Sequence, residues 1–199
     1  MPQTFPKAML LAAAALSAGC SSLLTSDAPA ETVYWLEAAG EAPPGPRAGA
    51  PSLALRFIAA PGLDTDRLLV RRNGATVNSY EGARWADNLP EVLGAVFRTV
   101  LEDSGRFSRV SAASSGIQAD QRLDLELHAF FAMADQPPPE IEMELRGYVL
   151  CGSETSPIRI SSRTTAADNT LTSIAAGFQR AVDLSAASLL DQLDGACGP

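Results

Sequence analysis

The stretch from Leu123 to Cys151, LDLELHAFFAMADQPPPEIEMELRGYVLC, decides the fold. In residues 123–133 every second position is apolar. In a strand these residues lie on one side: Leu123, Leu125, Leu127, Ala129, Phe131 and Met133. Residues 141–151 repeat the pattern with Ile141, Met143, Leu145, Gly147, Val149 and Cys151. A period of two is typical of a strand with one buried face. Because three prolines turn the chain between the runs, the stretch predicts a long antiparallel hairpin with one face in water.

Shorter strands are predicted around this hairpin. Residues 32–36 are rich in β-branched and aromatic side chains, and residues 53–58 alternate before Pro61-Gly62. Asn73-Gly74 joins 67–72 to 75–80 and is typical of a tight hairpin. Segments 107–111 and 157–165 are further predicted strands, whereas the Pro/Gly-rich segment 41–51 is a predicted linker.

Two segments have helical periodicity. The first apolar stripe has three- and four-residue steps and comprises Leu89, Val92, Leu93, Val96, Phe97, Val100 and Leu101. Asp87 or Asn88 can cap this helix, and Pro90 suits its first turn. The second helix is predicted from about residue 170 to 193, with Asn169 as its cap. One-faced helices and one-faced strands bury their apolar sides against each other, which predicts an α+β two-layer sandwich of an antiparallel sheet with both helices on one face.

The amino terminus has the pattern of a bacterial lipoprotein signal. Lys7, an apolar run from Ala8 to Leu16 and small residues precede Cys20, whose thiol would accept the lipid. The alternatives are a short transmembrane anchor or a buried helix, but the run has about half of the ~20 apolar residues that a membrane span needs. We therefore expect a signal peptide at 1–19, a tether at 20–30 and one domain at 31–197. Ser21 follows the cysteine where an aspartate would favour the inner membrane, so we expect the periplasmic face of the outer membrane.

The composition argues against a nucleic-acid partner. The chain carries 15 basic and 23 acidic residues, for a net charge of −8. Cleavage before Cys20 would remove Lys7, the only lysine, and leave arginines alone as the basic residues. An acidic domain with scattered arginines lacks the basic surface that nucleic acid requires, so membrane attachment should depend on the lipid.

With Cys20 assigned to lipid, Cys151 and Cys197 remain as a pair in an oxidising compartment. A disulfide between them is expected, and two separate buried thiols are the alternative. We expect no metal and no cofactor, because no CxxC spacing occurs and His128 is the only histidine.

The sequence contains none of the common catalytic motifs. His128 lies on the predicted wet face of a strand, as do Glu142 and Glu144, which are two residues apart and should both point to solvent. A charged wet face explains all three, so we do not expect an enzyme.

The most distinctive polar and aromatic cluster is Arg84-Trp85-Ala86-Asp87, between the Asn-Gly hairpin and the first helix. In one interpretation Trp85 covers the edge of the core while Arg84 and Asp87 pair or cap the helix. In the other, Arg84 and Trp85 contact a partner, because Trp and Arg are favoured in interfaces. The sequence leaves both open.

Several motifs together resemble the ABC-type transport auxiliary lipoproteins, the family that includes the paraquat-inducible lipoprotein of enterobacteria. They are the Cys20 signal, Tyr34-x-Leu36, Pro61-Gly62-Leu63-Asp64 before a hairpin, and residues 84–89 (RWADNL) leading into a helix. The resemblance covers roughly residues 31 to 195 and is most specific from Ala54 to Leu101.

The resemblance implies a non-enzymatic periplasmic component of an MCE-type transporter that moves lipid between membranes. Its implied partners are an MCE-domain protein and an ABC permease and ATPase, with homo-oligomerisation into a ring as a further hypothesis. The alternative is an envelope lipoprotein that regulates cell-wall synthesis or scaffolds another complex, because a fold alone does not determine function.

Overall fold

The computed structural model describes residues 31–39, 45–135 and 137–197, which form an eight-stranded sheet and two helices. The strands are β1 Thr32–Tyr34, β2 Ser52–Ala59, β3 Arg67–Arg72, β4 Thr76–Trp85, β5 Arg109–Ala112, β6 Gln121–Met133, β7 Glu140–Cys151 and β8 Glu154–Thr165. The helices are α1 Leu89–Asp103 and α2 Leu171–Ala196, with a short 3-10 turn at Ala113–Ser115. The predicted α+β class is confirmed.

The long hairpin lies at the centre of the sheet. β6 pairs antiparallel with β7 from Gln121 opposite Cys151 to Met133 opposite Glu140, and β8 continues the antiparallel order on the far side of β7. The other edge of β6 is shared by two strands, since β2 pairs with its first half and β3 with its second. The strands that precede the hairpin in sequence are therefore all on one side of it.

The sheet is mixed, and the expectation of an antiparallel sheet was wrong in this detail. β2 runs parallel to β5 and β6, β3 runs parallel to β6, and β1 runs parallel to β4. After β4 ends, α1 carries the chain back across one face, so that β5 starts at the same end of the sheet as β2. The parallel neighbours β2 and β5 are thus joined by a long connection through β3, β4 and α1, as parallel strands require.

A β-bulge at His128 changes which side chains of β6 face the helices. Leu127 pairs with Leu145, but Ala129 pairs with Glu144, so one extra residue lies in β6. After the bulge Phe130 takes the core side, where it is 1% exposed. Phe131, which strict alternation had placed in that layer, instead lies opposite Glu142 on the other face.

Both predicted helices pack on the sheet through their apolar sides. α1 covers β2 and β5, where Phe97 stacks on Phe57 with ring centroids 5.6 Å apart, and α2 covers β7 and β8. The guanidinium of Arg106, just after α1, donates to the Leu190 carbonyl of α2 and pairs with Asp194 at 2.8 Å. This contact joins the two helices at their carboxyl ends.

The helix starts agree with the prediction at α1 and differ by one residue at α2. The Asp87 carboxylate accepts a hydrogen bond from the N–H of Asn88, the N-cap of α1, at 2.8 Å. The N-cap of α2 is Thr170, whose hydroxyl accepts from the N–H of Ser173 at 3.3 Å, in place of the expected Asn169. A hydroxyl at the N-cap satisfies a helix N–H that has no partner inside the helix.

Across the described ranges, none of the helices has the length and apolar character to cross a membrane.

Candidate functional site

Ion pairs fix the point at which the chain enters the domain. Glu31 accepts a hydrogen bond from Arg67 at 2.6 Å and lies 3.4 Å from Arg84. Asp66 completes the group at 3.8 Å from Arg67 and 3.9 Å from Arg84. We call Glu31, Asp66, Arg67 and Arg84 the Glu31 cluster. Cys20, the expected lipidation site, lies outside the described residues.

Strand pairing builds this cluster. Arg67 at the start of β3 lies opposite Arg84 near the end of β4, next to a register shift between Arg67 and Leu69. The N–H of Trp85 donates to the Asp66 carbonyl at 2.7 Å and holds the two strand ends together. The positive charges of Arg67 and Arg84 repel each other across the two strands. The Glu31 carboxylate contacts both guanidinium groups and offsets this repulsion. Its hydrogen bond raises the pKa of Arg67 further above the ordinary value.

The two residues of the expected partner contact have different surroundings. Trp85 is 0% exposed, and its ring lies 5.3 Å from Phe178 of α2 and 5.8 Å from Phe130 of β6. The side chain of Arg84 is 34% exposed. Trp85 therefore fits the interpretation as a core residue. Arg84 is exposed enough to contact a partner.

Cys151 and Cys197 are joined as a disulfide, with Cα atoms 5.7 Å apart. That separation is usual for such a bond. The bond ties the end of β7 to the residue after α2. Close by, the Ser156 hydroxyl of β8 donates to the Ala196 carbonyl at 3.3 Å. Both contacts hold the carboxyl end of α2 on the sheet.

Glu142 and Glu144, on the sheet face opposite the helices, are paired with arginines. Glu142 lies 2.8 Å from Arg71 and 2.9 Å from Arg163, and its side chain is 14% exposed. Glu144 accepts a hydrogen bond from Arg146 at 2.7 Å, and this bond lowers the pKa of Glu144. A carboxylate that holds its charge so firmly is a poor proton donor. The expectation that both carboxylates point freely to solvent was wrong for Glu142, because two arginines cover it.

His128, at the bulge in β6, lies 3.4 Å from the Glu126 carboxylate and is partly exposed. No group of three or more His, Cys, Asp or Glu side chains within the described ranges is arranged to hold a metal ion.

One exposed feature was not singled out by the sequence. Trp35, one residue after β1, is 71% exposed, and Val33 in β1 is 47% exposed. Trp35 forms one wall of an open groove of about 420 Å³ whose other wall is α2 at Ala175 and Ala176. Tyr34 and Leu36, between and after these residues, pack on the core instead.

The family model for the ABC-type transport auxiliary lipoprotein component matches residues 34–189. The chain belongs to this family. Membership confirms the resemblance found from the sequence motifs. It assigns the protein an auxiliary role in ABC-type transport and an association with the cell envelope as a lipoprotein.

Solved structures show the same fold. A Xanthomonas campestris protein of the family DUF330 is 21% identical to this auxiliary lipoprotein, with a TM-score of 0.67 over 82% of this chain and 98% of that chain. An uncharacterized protein is 10% identical, also with a TM-score of 0.67, over 83% of this chain and 99% of that chain. No curated protein matches the sequence significantly.

The family match places the site residues in two groups. Trp35, Arg84, Trp85 and Cys151 lie inside the matched range, whereas Cys20 and Cys197 lie outside it. Glu31, which completes the cluster with Arg84, also precedes the match. The ion pairs of Glu31 and the Cys151–Cys197 disulfide therefore each include a residue beyond one end of the matched range.

Proposed function

We propose that this protein is anchored by lipid at Cys20 to the periplasmic face of the outer membrane. There it serves as a non-enzymatic auxiliary component of an MCE/ABC-type system that carries lipid between the two membranes. Membership in the auxiliary lipoprotein family is the observation that carries the proposal. The signal pattern that ends at Cys20 supports the anchor, and Ser21 supports the outer membrane.

The proposed arrangement divides the chain into a signal peptide at 1–19, a tether at 20–30 and a domain at 31–197. Glu31 is the first residue of that domain, and two arginines hold it. The Glu31 cluster therefore lies where the proposed tether joins the domain. The role is one of position: the domain is held at the membrane, and other components dock on it.

We place one docking contact at the Glu31 cluster. Its four side chains are between 34% and 44% exposed, so they are within reach of a partner while still paired with each other. Charges at the rim of an interface steer association and select partners more than they add affinity. The partners we propose are an MCE-domain protein and, through it, the ABC permease and ATPase. Copies of this chain arranged in a ring would present several such contacts to one tubular partner.

The proposal is tested by isolating the lipidated protein from membranes after mild crosslinking and identifying what comes with it. We expect an MCE-domain protein and permease subunits with the wild type. Arg84→Ala should recover roughly two- to threefold less of them, a loss of about 0.5 kcal/mol, because a charge at the rim of an interface adds little affinity. Arg98→Ala removes an arginine that is exposed on α1 and should recover as much as the wild type.

Two results would contradict the proposal. Recovery of cell-wall synthases in place of transport proteins would favour the regulatory alternative. Recovery of the protein from the soluble fraction with an unmodified Cys20 would remove the anchor. Cys20→Ala is the reference for the second result, since it cannot be lipidated and should leave the membrane.

A further inference from the structure

The first strand is apolar on both sides, and only one side has a place in the core. Leu36 is 2% exposed and Tyr34 packs against the core, whereas Val33 and Trp35 point the other way and are 47% and 71% exposed. A strand at a sheet edge normally places polar side chains in water. Packing of the domain core therefore does not explain why Val33 and Trp35 are apolar.

The backbone around Val33 and Trp35 is held in place by hydrogen bonds. β1 pairs with β4 from Thr32 opposite Ala83 to Tyr34 opposite Trp85. Two residues after Trp35, the side-chain amide of Gln179 in α2 accepts from the N–H of Glu37 at 3.0 Å and donates to its carbonyl at 2.8 Å. Strand pairing on one side of Trp35 and this double hydrogen bond on the other hold the indole outward.

We propose that Val33 and Trp35 insert into the interfacial layer of the phospholipid leaflet that carries the Cys20 anchor, an inference that rests on the proposed anchoring. Indole rings favour the headgroup level of a bilayer because one edge is apolar and the N–H is polar. The chain from Cys20 to Glu31 spans eleven peptide steps, or at most about 40 Å when extended. The anchored domain therefore cannot move far from the leaflet, and this pair is close to the point where the tether joins it.

The charges around the pair select the kind of lipid surface. Glu37 and Asp183 line the same groove as Trp35, and the nearby Arg67 and Arg84 are engaged by Glu31. The whole chain has a net charge of −8. Acidic groups at the rim are repelled by anionic headgroups, so the surface that fits is zwitterionic phospholipid.

The test uses the mature chain from Cys20, coupled through that thiol to a maleimide lipid and reconstituted in phosphatidylcholine vesicles. Brominated acyl chains quench indole fluorescence at close range. The signal of Trp35 is the difference between the wild type and Trp35→Phe, because Trp85 is buried in the domain and contributes to both. We expect quenching and a blue shift of this difference signal, both weaker in vesicles that contain phosphatidylglycerol.

A pair of valine variants tests the surface. Val33→Ser should reduce the quenching, whereas Val77→Ser, at a residue 45% exposed on β4, should not. An indole that stays unquenched and water-exposed on the coupled protein would overturn the inference, as would quenching that Val33→Ser and Val77→Ser reduce equally. Trp35 could instead become protected from iodide as the protein density rises, with no quenching by bromine. That result would show a second copy of the chain on this surface and would also overturn the inference.

Failure of this inference and failure of the proposed function give different results. The coupling is chemical, so the vesicle measurement does not require lipidation in the cell. Mass spectrometry of Cys20 from membranes tests the anchor by itself.

Discussion

The indole of Trp85 meets the ring of Phe178 edge to face, with centroids 5.3 Å apart and an interplanar angle of 87°. The contact joins the end of β4 to the first third of α2, and Phe130 closes the group at 4.7 Å from Phe178. Edge-to-face pairs add to the free energy that burial of the rings supplies. Three elements that are distant in sequence are thereby held at one place in the core.

Trp85→Ala should therefore lower the free energy of unfolding by about 3–5 kcal/mol, as expected when a buried aromatic side chain is removed. Urea unfolding followed by circular dichroism measures it. Trp35→Ala removes the same side chain from an exposed site and should change stability by less than about 1 kcal/mol. Similar losses in the two variants would contradict the assignment of Trp85 to the core.

Glycine at position 147 is required by the close approach of the central strands. A Cβ at Gly147 would overlap the Asp124 carbonyl oxygen of β6, whereas a Cβ at Gly195 in α2 meets nothing within 4 Å. Gly147→Ala should destabilise by about 1–3 kcal/mol, because β6 and β7 must separate. Gly195→Ala should be neutral or stabilising by up to about 1 kcal/mol, because alanine favours a helix. Equal thermal midpoints for the two variants would show that the strands adjust freely.

The sequence predicted the elements that bury one face, together with the Asn-Gly hairpin between β3 and β4 and the Cys151–Cys197 pair. Three- and four-residue steps located both helices, and alternation located β6 and β7. Alternation carries no information on strand direction, so it could not show that β2 and β3 run parallel to β6. The bulge at His128 was hidden because residues 129–133 are apolar at every position and allow either side to face the core.

The same limit applies to the candidate site. The disulfide between Cys151 and Cys197 was predicted by counting cysteines. Arg84 was predicted as a partner contact because it lies in a distinctive polar and aromatic cluster. Trp35 escaped notice because residues 33–36 are apolar throughout, which is equally typical of a strand buried on both faces. Glu31 was missed because its partners, Arg67 and Arg84, come together only through strand pairing.

Reduction of the Cys151–Cys197 bond should destabilise the domain. The bond closes a loop with a sequence separation of 46, which corresponds to about 4 kcal/mol in the chain-entropy account of disulfides. Denaturant unfolding with and without dithiothreitol measures the loss. Cys151→Ser should show the same loss of unfolding free energy without the reductant, and dithiothreitol should not lower it further. If dithiothreitol destabilised both proteins equally, the loss would not come from this disulfide. A peptide map under non-reducing conditions should contain the linked pair.

A carboxylate at the start of β6 should make stability depend on pH. The Asp120 carboxylate accepts from the N–H of Ser52 at 2.8 Å and from its hydroxyl at 2.7 Å, and these hydrogen bonds lower the pKa of Asp120 below its ordinary 3.8. Between the lowered and the ordinary pKa the unfolded chain binds more protons than the native one. The stabilisation is therefore complete above the ordinary value and is lost as the pH falls through the lowered one.

Asp120→Asn removes the titrating group and keeps the size of the side chain. Its deficit in unfolding free energy relative to the wild type should be largest near neutral pH and shrink below about pH 4. Ser52→Ala, which removes the hydroxyl donor but retains the N–H, should give a smaller deficit that shrinks over the same range. Urea unfolding from about pH 7 to pH 2.5 measures both variants. A deficit that stays constant down to the lowest pH would mean that the Asp120 carboxylate titrates alike in the folded and unfolded chains, and that its hydrogen bonds to Ser52 add no pH-dependent stability.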